Sequence, residues 1–326
     1  MDSKITFQSE VCNETIKSLD LSSSCNYLAV CSSYSITIWT TSSGEESEII
    51  LDGHQTTVTS VAWCPTGKYL ASSSYDGTVK IWCTRTWKCI ESIYREHHCY
   101  YDGSLGSTPI DSVTWSPDGQ CVIFNYGYYP TVEKWSIEPF KLINIWTVEF
   151  FRGPIILYPS GNGLRIFSHG KIATFSSEKF VDIYDFRGNF TNPEIRWDNY
   201  RDKIVWSHNG SHLAHYRPNS DFVNIICYET KEFVCSISTG SNNKDISWSQ
   251  CGEYLATISS SRVKIFHVNN GECVYKTCKY YTGYYKNNLI KWTSDNMKIV
   301  FSMAGHVKIL DVSCLVKTTT VKGVEF

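Results

Sequence analysis

A five-residue anchor that keeps returning restricts this chain more than any other feature. Trp63-Cys-Pro-Thr-Gly67 is followed by Trp115-Ser-Pro-Asp-Gly119, Leu157-Tyr-Pro-Ser-Gly161 and Trp206-Ser-His-Asn-Gly210. Trp248-Ser-Gln-Cys-Gly252 and Trp292-Thr-Ser-Asp-Asn296 continue the series. Upstream, Leu21-Ser-Ser-Ser-Cys25 fits it too, because Asn26-Tyr-Leu-Ala29 matches Lys68-Tyr-Leu-Ala71 in phase. The steps between anchors are 42, 52, 42, 49, 42 and 44 residues. Helical repeats of about 33–34 residues do not fit this spacing, whereas stacked four-stranded sheets with a period of roughly 40–45 do.

Each unit follows one physical grammar. An apolar strand ends at the anchor, a turn rich in Pro, Ser, Asp, Asn and Gly reverses the chain, and a second strand returns. A tight turn then leads to a third strand, as in Thr78-Val-Lys-Ile-Trp82, Ser35-Ile-Thr-Ile-Trp39 and Arg262-Val-Lys-Ile-Phe266. In the first of these, Val79 and Ile81 alternate with Thr78 and Lys80, the period-two pattern of a strand with a protected face. A fourth, more polar strand follows, such as Lys88-Cys-Ile-Glu-Ser-Ile93. One such sheet cannot bury both its faces alone, whereas sheets stacked in series bury one another. A composition with 14% aromatic and only 19% charged residues suits many half-buried strands.

Residues 52–82 carry a further pattern. Asp52-Gly-His54 precedes the second unit, and Asp76 stands six residues before Trp82. In this respect, and in its period, the chain resembles the WD-repeat β-propeller family over essentially its whole length. The resemblance implies an all-β fold: a single seven-bladed β-propeller spanning residues 1–326, with four-stranded antiparallel blades. It also implies that His54, Ser72, Asp76 and Trp82 form a structural hydrogen-bonded tetrad in the second blade. The family's Trp-Asp pair is missing from the ends of the third strands, since Trp39 precedes Thr40, Trp82 precedes Cys83 and Trp135 precedes Ser136. No other unit has a Gly-His pair ahead of its first strand.

Seven stacked sheets leave an edge to close, because an open stack exposes unpaired strands. Lys4-Ile-Thr-Phe-Gln8 is a short alternating strand ahead of the first anchor. It is expected to supply the outer strand of the last blade, beside Val307–Leu310 or Val316–Thr320, and so to close the ring.

Catalytic and metal chemistry find little footing. There is no Gly-x-Ser-x-Gly elbow, Walker loop or dinucleotide glycine fingerprint. No Cys-x-x-Cys occurs among the 14 cysteines. His208, His212 and His215 have helical ligand spacing, but Gly210 belongs to a turn, which places His212 and His215 on opposite faces of a strand. Glu96-His-His-Cys99 lacks a second ligand cluster. The expectation is a non-enzyme with no cofactor and no metal. A formal net charge of −2 argues against a dedicated nucleic-acid binder. With no apolar leader and no long apolar run, the chain reads as cytoplasmic or nuclear, not secreted and not membrane-bound, with its cysteines reduced.

The longer steps mark where a partner would bind. The 52-residue step inserts Arg95–Pro109, and the 49-residue step lengthens Arg187–Asp202, which holds Trp197. By WD-repeat geometry these loops open on the same face as the turns between second and third strands. That face also receives Asn125–Pro130 and Tyr280–Lys286. Tyr100, Tyr101, Tyr126, Tyr128, Tyr129, Tyr280, Tyr281, Tyr284 and Tyr285, with Trp197, thus converge on one expected partner-binding face. Tyrosine offers large rigid contact area with a polar tip. The competing reading is that these rings pack on their own loops.

The expected function is a non-enzymatic protein–protein interaction scaffold within a larger assembly. The Trp-Ser-Pro-Asp-Gly anchors, mainly in blades two and three, resemble nucleoporin-type and centrosomal WD proteins of the aladin kind. One alternative is the substrate receptor of a cullin-type ubiquitin ligase, a group marked by Trp-Asp-x-Arg; Trp82-Cys-Thr-Arg85 keeps Trp and Arg without Asp. Another is a reader of a modified lysine through a tyrosine cage, or a stacking platform for single-stranded RNA.

Overall fold

The computed structural model of the 326-residue chain describes residues 5–10, 15–41, 48–94, 96–98, 105–116, 118–126, 131–147, 165–166, 171–175, 180–185, 195–196, 203–208, 210–217, 219–227, 229–230, 232–240, 242–279, 288–303 and 306–317. It divides into two compact units, residues 17–200 and residues 1–16 with 201–326. The chain opens with β1 (Ile5–Glu10), a strand of the latter unit.

In residues 17–200 the first sheet is β2 (Ile16–Leu21), β3 (Tyr27–Ser32), β4 (Ser35–Thr40) and β5 (Glu48–Leu51). The second is β6 (Val58–Trp63), β7 (Tyr69–Ser74), β8 (Thr78–Cys83) and β9 (Lys88–Tyr94). A hairpin of β10 (Glu96–His98) and β11 (Leu105–Ser107) follows. The third sheet is β12 (Ile110–Trp115), β13 (Cys121–Tyr126), β14 (Thr131–Ile137) and β15 (Phe140–Thr147). The fourth is β16 (Arg165–Ile166), β17 (Lys171–Phe175), β18 (Phe180–Asp185) and β19 (Ile195–Arg196).

In the other unit the fifth sheet is β20 (Lys203–Trp206), β21 (His212–Tyr216), β22 (Phe222–Cys227) and β23 (Phe233–Ser238). The sixth is β24 (Asn243–Trp248), β25 (Tyr254–Ser259), β26 (Val263–His267) and β27 (Cys273–Lys276). The last is β28 (Ile290–Trp292), β29 (Lys298–Met303) and β30 (His306–Asp311), with β1 as its fourth strand. A single turn of helix, α1 (Ser313–Lys317), follows. The described residues are thus all-β, in four-stranded antiparallel sheets with almost no helix. Two segments read as loops carry strands: Arg95–Pro109 contains the β10–β11 hairpin, and Arg187–Asp202 contains β19, the outer strand of the fourth sheet.

The core lies between consecutive sheets. One cluster joins Ala29, Ile36 and Ile38 of the first sheet to Val61, Trp63, Leu70 and Trp82 of the second. Ala62, Ala71, Val79 and Ile81, from the opposite face of that second sheet, pack on Val113, Trp115, Val122 and Phe124 of the third. Both faces of the sheet are therefore buried, so strands such as Tyr69–Ser74 are apolar or small throughout. In the second unit the same arrangement joins the fifth sheet to the sixth, and the sixth to the last.

The anchor tryptophans join one sheet to the next. The Trp63 indole N–H donates to Asp20 O at 3.0 Å, Trp115 to Ala62 O at 2.9 Å, and Trp248 to Val205 O at 3.0 Å. Each acceptor belongs to the inner strand of the preceding sheet. A ring opening the second strand of the preceding sheet also stacks on an anchor indole: Tyr27 on Trp63, Tyr69 on Trp115, and Tyr254 on Trp292, whose own Nε1–H has no partner among the described residues, with centroids 6.1–6.2 Å apart. His212 lies over Trp248 at 6.3 Å in the same relation. The recurring Trp…Tyr pattern is thus an inter-sheet clasp. The anchor turns also nest: a Cβ at Gly119 would lie 2.8 Å from Cys64 Sγ and from Thr66, in the Pro-Thr-Gly turn of the preceding sheet.

Four outer strands share one irregularity, which β5 lacks. An extra residue bulges where the outer strand passes the end of the third strand: Ile90 in β9, Ile143 in β15, Val234 in β23 and Val274 in β27. All four are exposed, and bulges of this kind blunt an edge against strand addition. β1 pairs antiparallel with β30, Ile5 opposite Leu310 and Phe7 opposite Ile309, leaving Thr6 as the extra residue at the corresponding place. The N-terminal strand therefore completes the last sheet in the register used by those four outer strands, and of the two expected sites it takes the one at Val307–Leu310.

Candidate functional site

The structure gathers His54, Ser72, Asp76 and Trp82 into one network on the second sheet. Ser72 lies in the centre of β7 and Trp82 near the end of β8, adjacent antiparallel strands. The Trp82 Nε1–H donates to Ser72 Oγ at 2.9 Å, and Ser72 lies 2.7 Å from His54 Nε2. His54 Nδ1 reaches Asp76 Oδ2 at 3.0 Å. The partners fix the proton order: indole to hydroxyl, hydroxyl to Nε2, and Nδ1–H to carboxylate. Every member has its partner, the condition under which a buried polar network stabilises.

Two further groups complete the network. The Gln55 N–H donates to Asp76 Oδ2 at 2.8 Å; the Thr78 N–H and hydroxyl donate to Asp76 Oδ1 at 2.8 and 2.6 Å. The Asp-Gly-Thr order was the signal for Thr78, since an aspartate in a turn accepts from the N–H two residues on. Burial pushes the Asp76 carboxyl up, but the bonds from His54, Thr78 and Gln55 outweigh it and hold the group well below the usual carboxylate range.

Serine, histidine and aspartate in this order imitate the spacing of a hydrolytic triad. The surroundings exclude that chemistry here. Ser72 is 0% exposed, and its oxygen already accepts the Trp82 indole N–H, so no substrate atom reaches it. The arrangement ties the strand entering the sheet to the turn between β7 and β8.

The tyrosine-rich segments are placed as follows. Tyr126 is the last residue of β13, 3% exposed, with its ring edge-on to Phe124 at 5.8 Å. It belongs to the core between sheets, a correction to its expected place in a binding loop, because β13 extends two residues further than the loop reading allowed, through Asn125 and Tyr126. Tyr100, Tyr101, Tyr128, Tyr129, Trp197, Tyr280, Tyr281, Tyr284 and Tyr285 lie outside the described residues. Two tyrosines the sequence reading passed over are at the surface: Tyr34, 57% exposed, between β3 and β4, and Tyr75, 46% exposed, between β7 and β8. These are the turns that correspond to residues 127–130 of the third sheet. They are neighbours, because Val58 donates to Ser33 O at 2.7 Å and pairs with Ser74.

The spaced histidines do not converge. His208 Nδ1 meets Ser249 O, His212 Nδ1 meets Ser211 Oγ, and His215 lies three residues further along β21. Among the described residues, no group of three or more His, Cys, Asp or Glu side chains is placed to hold a metal. The 12 described cysteines are all free, and no described helix is long and apolar enough to cross a membrane. Where the family's Trp-Asp pair would place an aspartate, Cys83 stands instead; bonds from the Thr86 hydroxyl and N–H lower its thiol pKa. The equivalent position of the last sheet does hold an aspartate, Asp311, which accepts the Ser313 N–H at 2.9 Å.

The family model of the WD domain, G-beta repeat, matches residues 45–83, the segment that holds this network. The chain is a divergent WD-repeat protein. It is similar to Protein HIR1 of Cryptococcus neoformans, 45% identical over 69 residues, covering 21% of this chain and 7% of that one. It is also similar to the probable cytosolic iron-sulfur protein assembly protein Ciao1 of Culex quinquefasciatus, 50% identical over 38 residues, 12% of this chain and 11% of that one. A wider, weaker similarity links it to the WD repeat-containing protein AAC3 of Dictyostelium discoideum, 23% identical over 187 residues, 51% of this chain and 37% of that one. This WD-repeat chain thus matches only a small part of the length of HIR1 and Ciao1.

Proposed function

We propose that this WD-repeat protein is a non-enzymatic scaffold that brings proteins together through a tyrosine-rich face. In this reading the sheets are the blades of one closed seven-bladed propeller, and β1 completes the ring. The observation that carries the reading is the exposure of Tyr34 and Tyr75 at the turns between second and third strands. Those turns and the segments bearing Tyr128 and Tyr129 occupy equivalent places in consecutive sheets. Rigid rings displayed on turns whose sheets are clasped together lose little freedom on binding, which favours contact energy over ordering cost. The similar protein Ciao1 of Culex quinquefasciatus is named as an assembly protein, which accords with this role. The free cysteines accord with a reducing cytosolic or nuclear setting.

The test is affinity purification with mass spectrometry from cells expressing the parental chain or the Tyr100→Ser/Tyr128→Ser/Tyr284→Ser variant. The variant is expected to keep its far-UV spectrum and melting behaviour and to lose the partners that the parental chain enriches. Equal enrichment by a folded variant would refute the tyrosine face.

A further inference from the structure

The first sheet ends in an outer strand unlike the others. Against β4, β5 pairs without a break: Leu51 stands opposite Ile36, Ile50 opposite Thr37, Ile49 opposite Ile38 and Glu48 opposite Trp39. β9, β15, β23 and β27 each carry an exposed bulge at this place. Three of them also carry a lysine, Lys88, Lys141 and Lys276. Bulges and lysines are devices that keep a stray strand off a sheet edge. β5 has neither, and β19, the other outer strand without a bulge, is only 2 residues long.

β5 stands last in its sheet, so its outward N–H and C=O groups meet no strand among the described residues. A regular row of such groups is a template for one more strand. The side chains of β5 divide by face. Leu51 is buried and Ile49 packs beside it, in the cluster shared with the second sheet. Glu48 and Ile50 lie on the opposite face, and Ile50 is 56% exposed. Asp52, two residues past Ile50, is exposed as well. The edge thus shows an acid, an apolar side chain and an acid at alternate positions. Neither acid is in a salt bridge among the described residues. The Lys80 stem passes Gly53, but its ammonium donates to Ser92 Oγ at 3.2 Å.

We propose that β5 is a docking edge for an extended segment of a protein partner, which carries a basic, an apolar and a basic residue at alternate positions and adds to the sheet as a further strand. The backbone ladder supplies the attachment, the apolar residue covers Ile50, and the two basic residues face Glu48 and Asp52. The charges decide between this occupant and a second copy of the chain. Two β5 edges paired antiparallel about Ile50 would set Glu48 of each copy beside Asp52 of the other, and like charges across strands repel. Docking here does not depend on the tyrosine-rich face.

The probe is the peptide acetyl-Ser-Lys-Thr-Ile-Thr-Lys-Ser-amide, whose symmetric pattern serves either strand direction, titrated into the isotopically labelled full chain. Saturable shifts of the Glu48–Leu51 backbone amides, with slowed hydrogen exchange there, are expected. Replacing both peptide lysines by glutamate, or N-methylating its central Thr-Ile-Thr, is expected to weaken binding about tenfold or more. Ile50→Lys, a change at an exposed side chain, is expected to weaken it as much while the chain keeps its melting temperature. The Glu48→Lys/Asp52→Lys variant is expected to exchange the preference and hold the glutamate peptide more tightly than the lysine one. The triple tyrosine variant is expected to bind the peptide as the parental chain does, so failure of this edge and failure of the tyrosine face are read separately. Unmoved amides, or binding unchanged by N-methylation or by the peptide's charge, would overturn the assignment. A concentration-dependent dimer of the chain alone, seen by sedimentation and dissolved by Ile50→Lys, would give the edge to a second copy and overturn it as well.

Discussion

Replacing Trp115 by leucine removes two contacts between the second and third sheets at once. The indole N–H leaves Ala62 O, which it meets at 2.9 Å in a buried setting, and the ring leaves its stack with Tyr69, 6.1 Å away and nearly parallel at 13°. A buried carbonyl without its donor costs about 1–3 kcal/mol. The lost ring volume adds to this, with full truncation of a buried Trp to Ala reaching about 3–5 kcal/mol. Trp115→Leu is therefore expected to destabilise by about 2–5 kcal/mol. The stacking share is isolated by a double-mutant cycle with Tyr69→Leu, which should return a favourable coupling of about 0.5–1.5 kcal/mol. Tyr69→Phe serves as a control, because it keeps the ring and removes only the hydroxyl that donates to Glu138 at 2.7 Å. The assay is equilibrium urea unfolding followed by far-UV circular dichroism, with the slope checked for constancy. Additive losses with no coupling would refute the clasp between sheets.

Asp76→Asn is expected to cost about 1–3 kcal/mol at pH 7 and to flatten the acid limb of the stability curve. The Asp76 carboxyl is held below its ordinary range, so its contribution is full above about pH 3.9, the unfolded value. That contribution is lost as pH falls through the lower folded value, and urea unfolding between pH 2 and 7 reads it out. A parallel acid limb in both proteins would contradict this. Gly119→Ala combines a φ of +69° with a Cβ 2.8 Å from Cys64 Sγ, whereas Gly240→Ala has φ +58° with Lys264 Nζ as its near neighbour at 3.7 Å. The second should lose about 1–2 kcal/mol from backbone strain and the first clearly more, measured by thermal unfolding. Timed alkylation with mass spectrometry should label Cys83 and Cys227, whose thiol pKa values are lowered by Thr86 and Thr230, well before Cys31. Burial pushes the Cys31 thiol up to about 12. Equal rates would contradict the cited environments.

Much of the sheet architecture was legible because its signals are local and repeated. The Trp anchors were read as repeat markers, but their clasp on a Tyr or His of the preceding sheet emerges only from packing, whereas Pro-Thr-Gly and Pro-Asp-Gly mark turns that nest against each other. β1 was readable from its alternation, though its register against β30 depends on a bulge that no residue type announces. The hairpin at Glu96–Ser107 was missed because Glu-His-His and Leu-Gly-Ser carry no alternation; backbone pairing alone makes them strands. Tyr126 was assigned to a loop because tyrosine and asparagine favour turns as readily as strand ends. The open edge of β5 drew no notice because its unbroken register emerges only from pairing. The polar tetrad was legible only in the second sheet, where all four residue types survive together.

The central claim is that each sheet persists by its hold on its neighbours, with the chain's own beginning supplying the last strand. Deleting residues 1–10 and supplying them in trans as a peptide tests this most directly, with the melting temperature as the readout. The account predicts a large fall on deletion and a saturable recovery with the peptide, because β1 fills the outer place against His306–Leu310. A deleted chain that melts where the intact one does, with or without peptide, would contradict it.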